Sequence, residues 1–139
     1  MKRSIFGSLA TFFILVLIMV YPAQATLELV GPTWRAVEIN GSPVACDQSK
    51  REPHLVFNVE GRVSGSTGCN RFTGTYKQDG NNLQFSPPAV TKMACPPPVE
   101  ALERSFLQAM AATTSVRKSG ETLELLDTGG NVQMRLQSR

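Results

Sequence analysis

Three cysteines, Cys46, Cys69 and Cys95, and a single histidine, His54, are the side chains of this sequence best suited to chemistry. Between them they could supply a nucleophile with its base, a metal site or a covalent crosslink. Cys69 has the most distinctive surroundings. It stands in Gly65-Ser-Thr-Gly-Cys-Asn-Arg-Phe-Thr-Gly-Thr-Tyr76, where Gly65, Gly68 and Gly74 flank Cys69, Asn70, Arg71 and Phe72.

Each kind of chemistry makes its own demand on spacing. A nucleophilic cysteine needs a base to form the thiolate and a third group to orient that base. His54 is the one histidine, and Asn70 or an aspartate completes the set only by residue count, which almost any chain would satisfy. A structural zinc site takes four ligands, and three cysteines and one histidine match that number. No two of them, however, fall in a short Cys-x-x-Cys or His-x-x-x-His knuckle. A phosphate loop continues from its glycines into a lysine and a serine or threonine that open a helix. Here Gly68 leads to Cys69-Asn70 and a segment with strand character. The remaining use for Cys69 is a staple, so no catalytic residue, metal or cofactor is expected and His54 reads as a surface or strand-edge histidine.

The compartment supports a staple. Lys2 and Arg3 precede an apolar core from Phe12 to Val20, followed by Ala23-Gln-Ala25 and Thr26. That is the layout of a cleavable secretory leader, and its apolar core is short against the roughly 20 residues that span a bilayer. Residues 1–25 are therefore expected to be removed, leaving one domain over residues 26–139, periplasmic or secreted, with no membrane span. No cysteine closes the apolar stretch to accept a lipid. Disulfides persist in such an environment, and an exported thiol is prone to oxidation. Three cysteines permit one internal bridge and leave one thiol over. Cys95 is the better partner for Cys69 on local chemistry, because Cys95-Pro-Pro-Pro98 holds the chain extended just before a predicted helix. Cys46 is then the remaining thiol.

Without Lys2 and Arg3 the chain carries 12 basic against 11 acidic side chains. The basic residues come in pairs such as Lys50-Arg51 and Arg117-Lys118, with no stripe to follow a phosphate backbone. Nucleic acid is not an expected partner.

The elements that must hold these residues are mostly strands. Val132, Met134 and Leu136 alternate with Gln133 and Arg135; Leu55, Phe57 and Val59 share a face, as do Leu83 with Phe85 and Leu123 with Leu125. Trp34 to Ile39 makes a first strand, and Thr114 to Lys118 begins a final group of three. Turn residues at Glu60-Gly61, Asp79-Gly80-Asn81, Ser119-Gly120 and Thr128-Gly-Gly-Asn131 predict hairpins between successive strands. Gly65 and Gly68 are expected to turn the chain tightly and set Cys69 where a strand begins. From Val99, the residues Leu102, Phe106, Leu107 and Met110 recur at helical spacing, with Glu100, Glu103, Arg104 and Gln108 on the other face. Pro98 suits the first helical turn. The fold class is α+β, mostly β: a curved antiparallel sheet or partly open barrel with one amphipathic helix packed on it.

The Cys69 stretch, together with Leu83-Gln-Phe85, Thr91-Lys-Met93-Ala-Cys-Pro96 and Glu103-Arg-Ser-Phe106, resembles the META domain, the family of the bacterial heat-shock protein HslJ. The resemblance runs from about Leu27 to the C-terminus. It implies a compact β-rich fold with one helix, an envelope location, and a disulfide that maps onto Cys69 and Cys95, with Cys46 outside the family pattern. It implies no enzymatic activity; family members are linked to heat shock, antibiotic tolerance, motility and virulence. The expected function is a non-enzymatic envelope protein that supports stress tolerance by binding an envelope protein or lipid. The alternative is an inhibitor or pilot-like module that binds a defined protein, such as a lysozyme-like hydrolase, or a lipid, through a barrel mouth or the loop from Gly41 to Pro53.

Overall fold

A computed structural model describes residues 16–20, 27–45 and 51–139. The expected leader, apart from residues 16–20, and Cys46 lie outside the described residues. The chain forms β1 (Thr33–Ile39), β2 (Ser42–Pro43), β3 (His54–Phe57), β4 (Arg62–Ser66), β5 (Arg71–Asp79), β6 (Asn82–Phe85) and β7 (Ala89–Val90). Then follow α1 (Pro97–Ala112), β8 (Ser115–Ser119), β9 (Thr122–Leu126) and β10 (Val132–Ser138).

Eight of these strands close into an antiparallel barrel in the order β1-β3-β4-β5-β6-β8-β9-β10, which is also their order along the chain. Tight turns make this meander: Gly61, Gly80, Gly120 and Gly130 all adopt positive φ between consecutive strands. The last strand returns to the first, from Trp34 opposite Ser138 to Ile39 opposite Met134. The expected curved sheet is thus fully closed, which removes the unpaired edges an open sheet would present. Short β2 and β7 lie outside the ring, on β1 and β5. The thinnest seam is β6 to β8, where Asn82 faces Ser115 between two backbone bonds, Val116 N–H to Asn81 and Leu83 N–H to Thr114.

Strand alternation fills the interior with Trp34, Leu55, Phe57, Phe72, Leu83, Leu123, Leu125, Met134 and Leu136, all fully buried. Two expected inward positions differ. Val59 is 83% exposed, because β3 stops at Phe57 and the chain turns through residues 58–61, with Asn58 N–H donating to the Arg62 carbonyl at 2.8 Å. Val132 is only half-buried, because a register irregularity between Val132 and Met134 breaks its parity with Met134 and Leu136.

Both mouths are covered. Helix α1 buries Phe106, Ala109 and Met110 and rests against β1, β6, β9 and β10, strands on different sides of the ring. The Phe106 ring meets Phe72 at 5.5 Å between centroids. Its first turn is Pro97-Pro98, where missing N–H groups cost nothing. At the opposite mouth residues 27–30 cross the strand ends. The Leu27 carbonyl accepts from Gln78 Nε2 at 2.7 Å and the Glu28 carbonyl from Lys118 Nζ at 3.3 Å. Leu29 is buried, and its carbonyl takes the Trp34 indole N–H at 2.9 Å.

Outside the barrel a ladder of charges crosses β1, β10, β9 and β8. Glu38 pairs with Arg135 at 2.7 Å, Arg135 with Glu124 at 3.1 Å, and Glu124 with Arg117 at 2.9 Å. Each pair sits directly opposite in register. Hydrogen bonding from Arg117 first, and then from Arg135, holds the Glu124 carboxyl below its ordinary value of 4.5 against an opposing effect of burial. A depressed carboxylate stabilises the fold above its unfolded pKa, and that contribution fades as pH falls through the folded value. Urea midpoints are therefore expected to decline as pH drops below about 4.5, with a smaller decline in Glu124→Gln. An equal decline in that variant would remove Glu124 from the account.

Candidate functional site

The residues around Cys69 form a latch between the barrel and the start of the helix. Ser66 ends β4, Thr67 follows it, Gly68 turns the chain at φ 96°, and β5 begins at Arg71. A side chain at Gly68 would be strained by that φ and would meet Leu102 of the helix at 3.0 Å. Gly65 does a different task from the expected turn. It lies within β4 opposite Leu55, where an added Cβ would fall on the His54 carbonyl. Cys69 is buried and bonded to Cys95, with a Cα–Cα distance of 6.0 Å. This joins the β4–β5 turn to the proline run ahead of α1.

Asn70 organises the polar side of the latch. Its Oδ1 accepts the Met93 N–H at 2.7 Å and the Thr91 hydroxyl at 3.0 Å. A backbone N–H can only donate, so the amide orientation is determined. Its Nδ2 then points to the Glu103 carboxylate, 3.0 and 3.2 Å from the two oxygens. The Thr67 hydroxyl donates to Glu103 at 2.9 Å and accepts the Asn70 N–H at 3.0 Å. Glu103 therefore leaves the solvent face where helical periodicity puts it: it is half-buried and ties α1 to the turn. Its position one turn before Phe106 was the available signal, since i and i+3 share a helix side. Thr67 has no comparable mark in the sequence.

The latch thus gathers Gly68, Cys69, Asn70, Thr91, Met93 and Cys95, and adds Thr67 and Glu103. The other motif residues serve elsewhere. Phe72 is in the core, and Gly74 pairs with Val63 beneath Pro88. Arg71 is exposed on the outer wall. No thiol remains at Cys69, and the Asn70 amide is committed to structure. Among the described residues no group of three or more His, Cys, Asp or Glu side chains is placed to hold a metal.

His54 faces the outer wall too. Its Nδ1 is 2.8 Å from the Glu52 carbonyl, which can only accept, so Nδ1 carries the proton and Nε2 is left for other contacts. It lines a cavity of about 580 Å³ together with Arg51, Glu52, Ser64, Arg71 and Arg139. Glu52 is bridged to Arg35 at 3.3 Å and to Arg139 at 2.5 Å. A second cavity of about 390 Å³ continues along β4 and β5, sharing Ser64 and Thr73 and reaching Arg62.

Fold and site together define a small, closed, disulfide-latched barrel in which Cys69, Cys95 and Asn70 hold the latch. The chain belongs to the META domain family, whose model matches residues 26–139. Among solved structures it is similar to a protein determined by NMR, with 24% identity, a TM-score of 0.61 and coverage of 76% of this chain and 87% of that one. A second NMR structure, from Burkholderia xenovorans, shows 24% identity and a TM-score of 0.60 over 80% of this chain and 83% of that one. A DUF4847 family protein from Bacteroides vulgatus ATCC 8482 shares 17% identity with a TM-score of 0.53, over 79% and 92%. These likenesses concern the fold. No curated protein matches the chain.

Proposed function

We propose that this chain is an exported, non-enzymatic META domain that supports stress or antibiotic tolerance by binding another envelope component on the outer surface of its barrel. The observation that carries this reading is the use made of the reactive residues. Cys69 is consumed in a disulfide, and Asn70 and Glu103 are engaged with each other in the latch. The interior is occupied by its own side chains, with α1 over one mouth and residues 27–30 over the other, so an interior ligand would have to displace core. Binding is left to the outer wall. No helix among the described residues is long and apolar enough to cross a membrane.

Protein purified from the envelope fraction and used as bait on an envelope extract tests the reading. The expected result is reproducible retention of an envelope component that leaves the bait chemically unchanged. Recovery of the protein only in the cytoplasm, an empty bait, or a component released in altered covalent form would each overturn it.

A further inference from the structure

The outer wall of β3, β4 and β5 carries a trough whose chemistry differs from the rest of the barrel. Because Leu55, Val63 and Phe72 point inward, their strand neighbours point out. His54 then stands opposite Ser66, and Ser66 opposite Arg71; Val56, Ser64 and Thr73 form the next row, and Arg62 faces Thr75 at the far end. Ser66 stands four residue steps along β4 from Arg62, a length of about 13 Å. The floor is made of small hydroxyl side chains and Gly74, so the trough is open along the strands. Arg51, His54, Arg71 and Arg139 gather at one end and Arg62 stands at the other. Among the described residues Glu52 is the one acidic side chain lining either cavity, and it is already held by Arg35 and Arg139.

Resting on the reading of the chain as a surface-binding module, we propose that this trough docks an extended acidic segment of a partner protein. Its carboxylates would meet Arg71 and Arg51 at one end and Arg62 at the other, and its backbone would lie over Ser64 and Thr73. The charge sign selects an anion, and charge complementarity of this kind governs partner choice. The length selects an extended chain of about four residues over a single small anion. The lining selects against other polyanions. A single strand of nucleic acid would stack its bases on an exposed aromatic platform, and Phe72, the aromatic side chain among the described residues lining the trough, is buried. A membrane surface would call for apolar side chains beside the cations, yet the exposed large apolar side chains among the described residues, those of residues 16–20, Val30, Val59 and Met93, line neither cavity.

Titration of the purified protein with an acetylated hexaglutamate amide tests this, with hexaglutamine, inorganic phosphate and phosphatidylglycerol vesicles in parallel. Hexaglutamate is expected to bind and hexaglutamine not, with amide shifts in NMR spectra at Ser64 and Thr73 and weakening as salt rises. Arg71→Ala and Arg62→Ala should each weaken binding about tenfold, and Arg71→Lys should recover part of the loss. Both arginines are exposed, and unchanged melting of the variants confirms that the fold is kept. Equal binding of hexaglutamine, unchanged affinity in Arg71→Ala, or Arg71-dependent binding of phosphate or vesicles without hexaglutamate would overturn the proposal. Envelope capture that survives both arginine replacements would remove the trough while leaving the binding module in place; failure of capture by the wild-type bait would remove the module itself.

Discussion

Replacing Cys69 and Cys95 together by alanine is expected to lower stability by about 2 to 5 kcal/mol while leaving the barrel recognisable below its melting point. The bridge closes a loop with a sequence separation of 26. On the chain-entropy account, closing a loop of that length limits the unfolded chain by about 3.5 kcal/mol, a large share of the 5 to 15 kcal/mol typical of a domain. Loss of buried sulfur from Cys69 adds to this. The barrel survives because its closure is made elsewhere, by β1 on β10, and because Asn70 and Glu103 still tie α1 to the β4–β5 turn. Chemical denaturation of wild type and double variant gives the difference, and peptide mapping without reductant should recover Cys69 joined to Cys95 with Cys46 outside the bridge. Equal stability of the two proteins would refute the staple as the reason for the cysteines.

Asn70→Ala should cost on the order of 3 kcal/mol, through three losses at one buried position. The Met93 N–H loses its acceptor, the Thr91 hydroxyl loses its own, and the Glu103 carboxylate keeps Thr67 but not the amide. The contacts are part-buried, and a donor left there without its partner or a carboxylate stripped of a charge-assisted bond costs more than the bond contributes net in water. Asn70→Asp should be worse at neutral pH, because it sets a second carboxylate against Glu103 where a donor stood. It should recover in part under mild acid, when the pair can share one proton. Urea unfolding at pH 7 and pH 5 measures both variants. An Asn70→Ala variant within about 0.5 kcal/mol of wild type would mean the latch contributes no more than an ordinary surface contact.

The hairpins, helix α1 and the buried faces of most strands were legible because each depends on neighbours within a few residues. Gly80 and Gly120 turn the chain where the sequence places turn residues, and Leu123 with Leu125 and Leu83 enter the core on their predicted faces. Phe106 and Met110 do the same from the helical stripe. Val59 misled because alternation carries no record of where a strand stops; the turn at residues 58–61 ends β3 first. Val132 misled for a related reason, since one irregular residue reverses the parity on which the reading rests.

Sequence alone determined the local alphabet of this protein: where strands turn, which helix face is apolar, and that Cys69 and Cys95 stand in settings suited to a crosslink. Tertiary structure alone decided how that alphabet closes on itself. The pairing of Trp34 with Ser138 joins the two ends of the domain, and no local preference of either residue encodes it. The same holds for Glu103, whose carboxylate lies on a helix flank until Thr67 and Asn70 arrive from 36 and 33 residues away. It holds for the trough as well, where Arg62 and Arg71 come to opposite ends of one groove because β4 folds back on β5. The physical reason is common to all three. Turn and helix preferences are short-range properties of the backbone, whereas closure, a shared carboxylate and a charged groove exist only after loop-closure entropy has been overcome by burial of a common core.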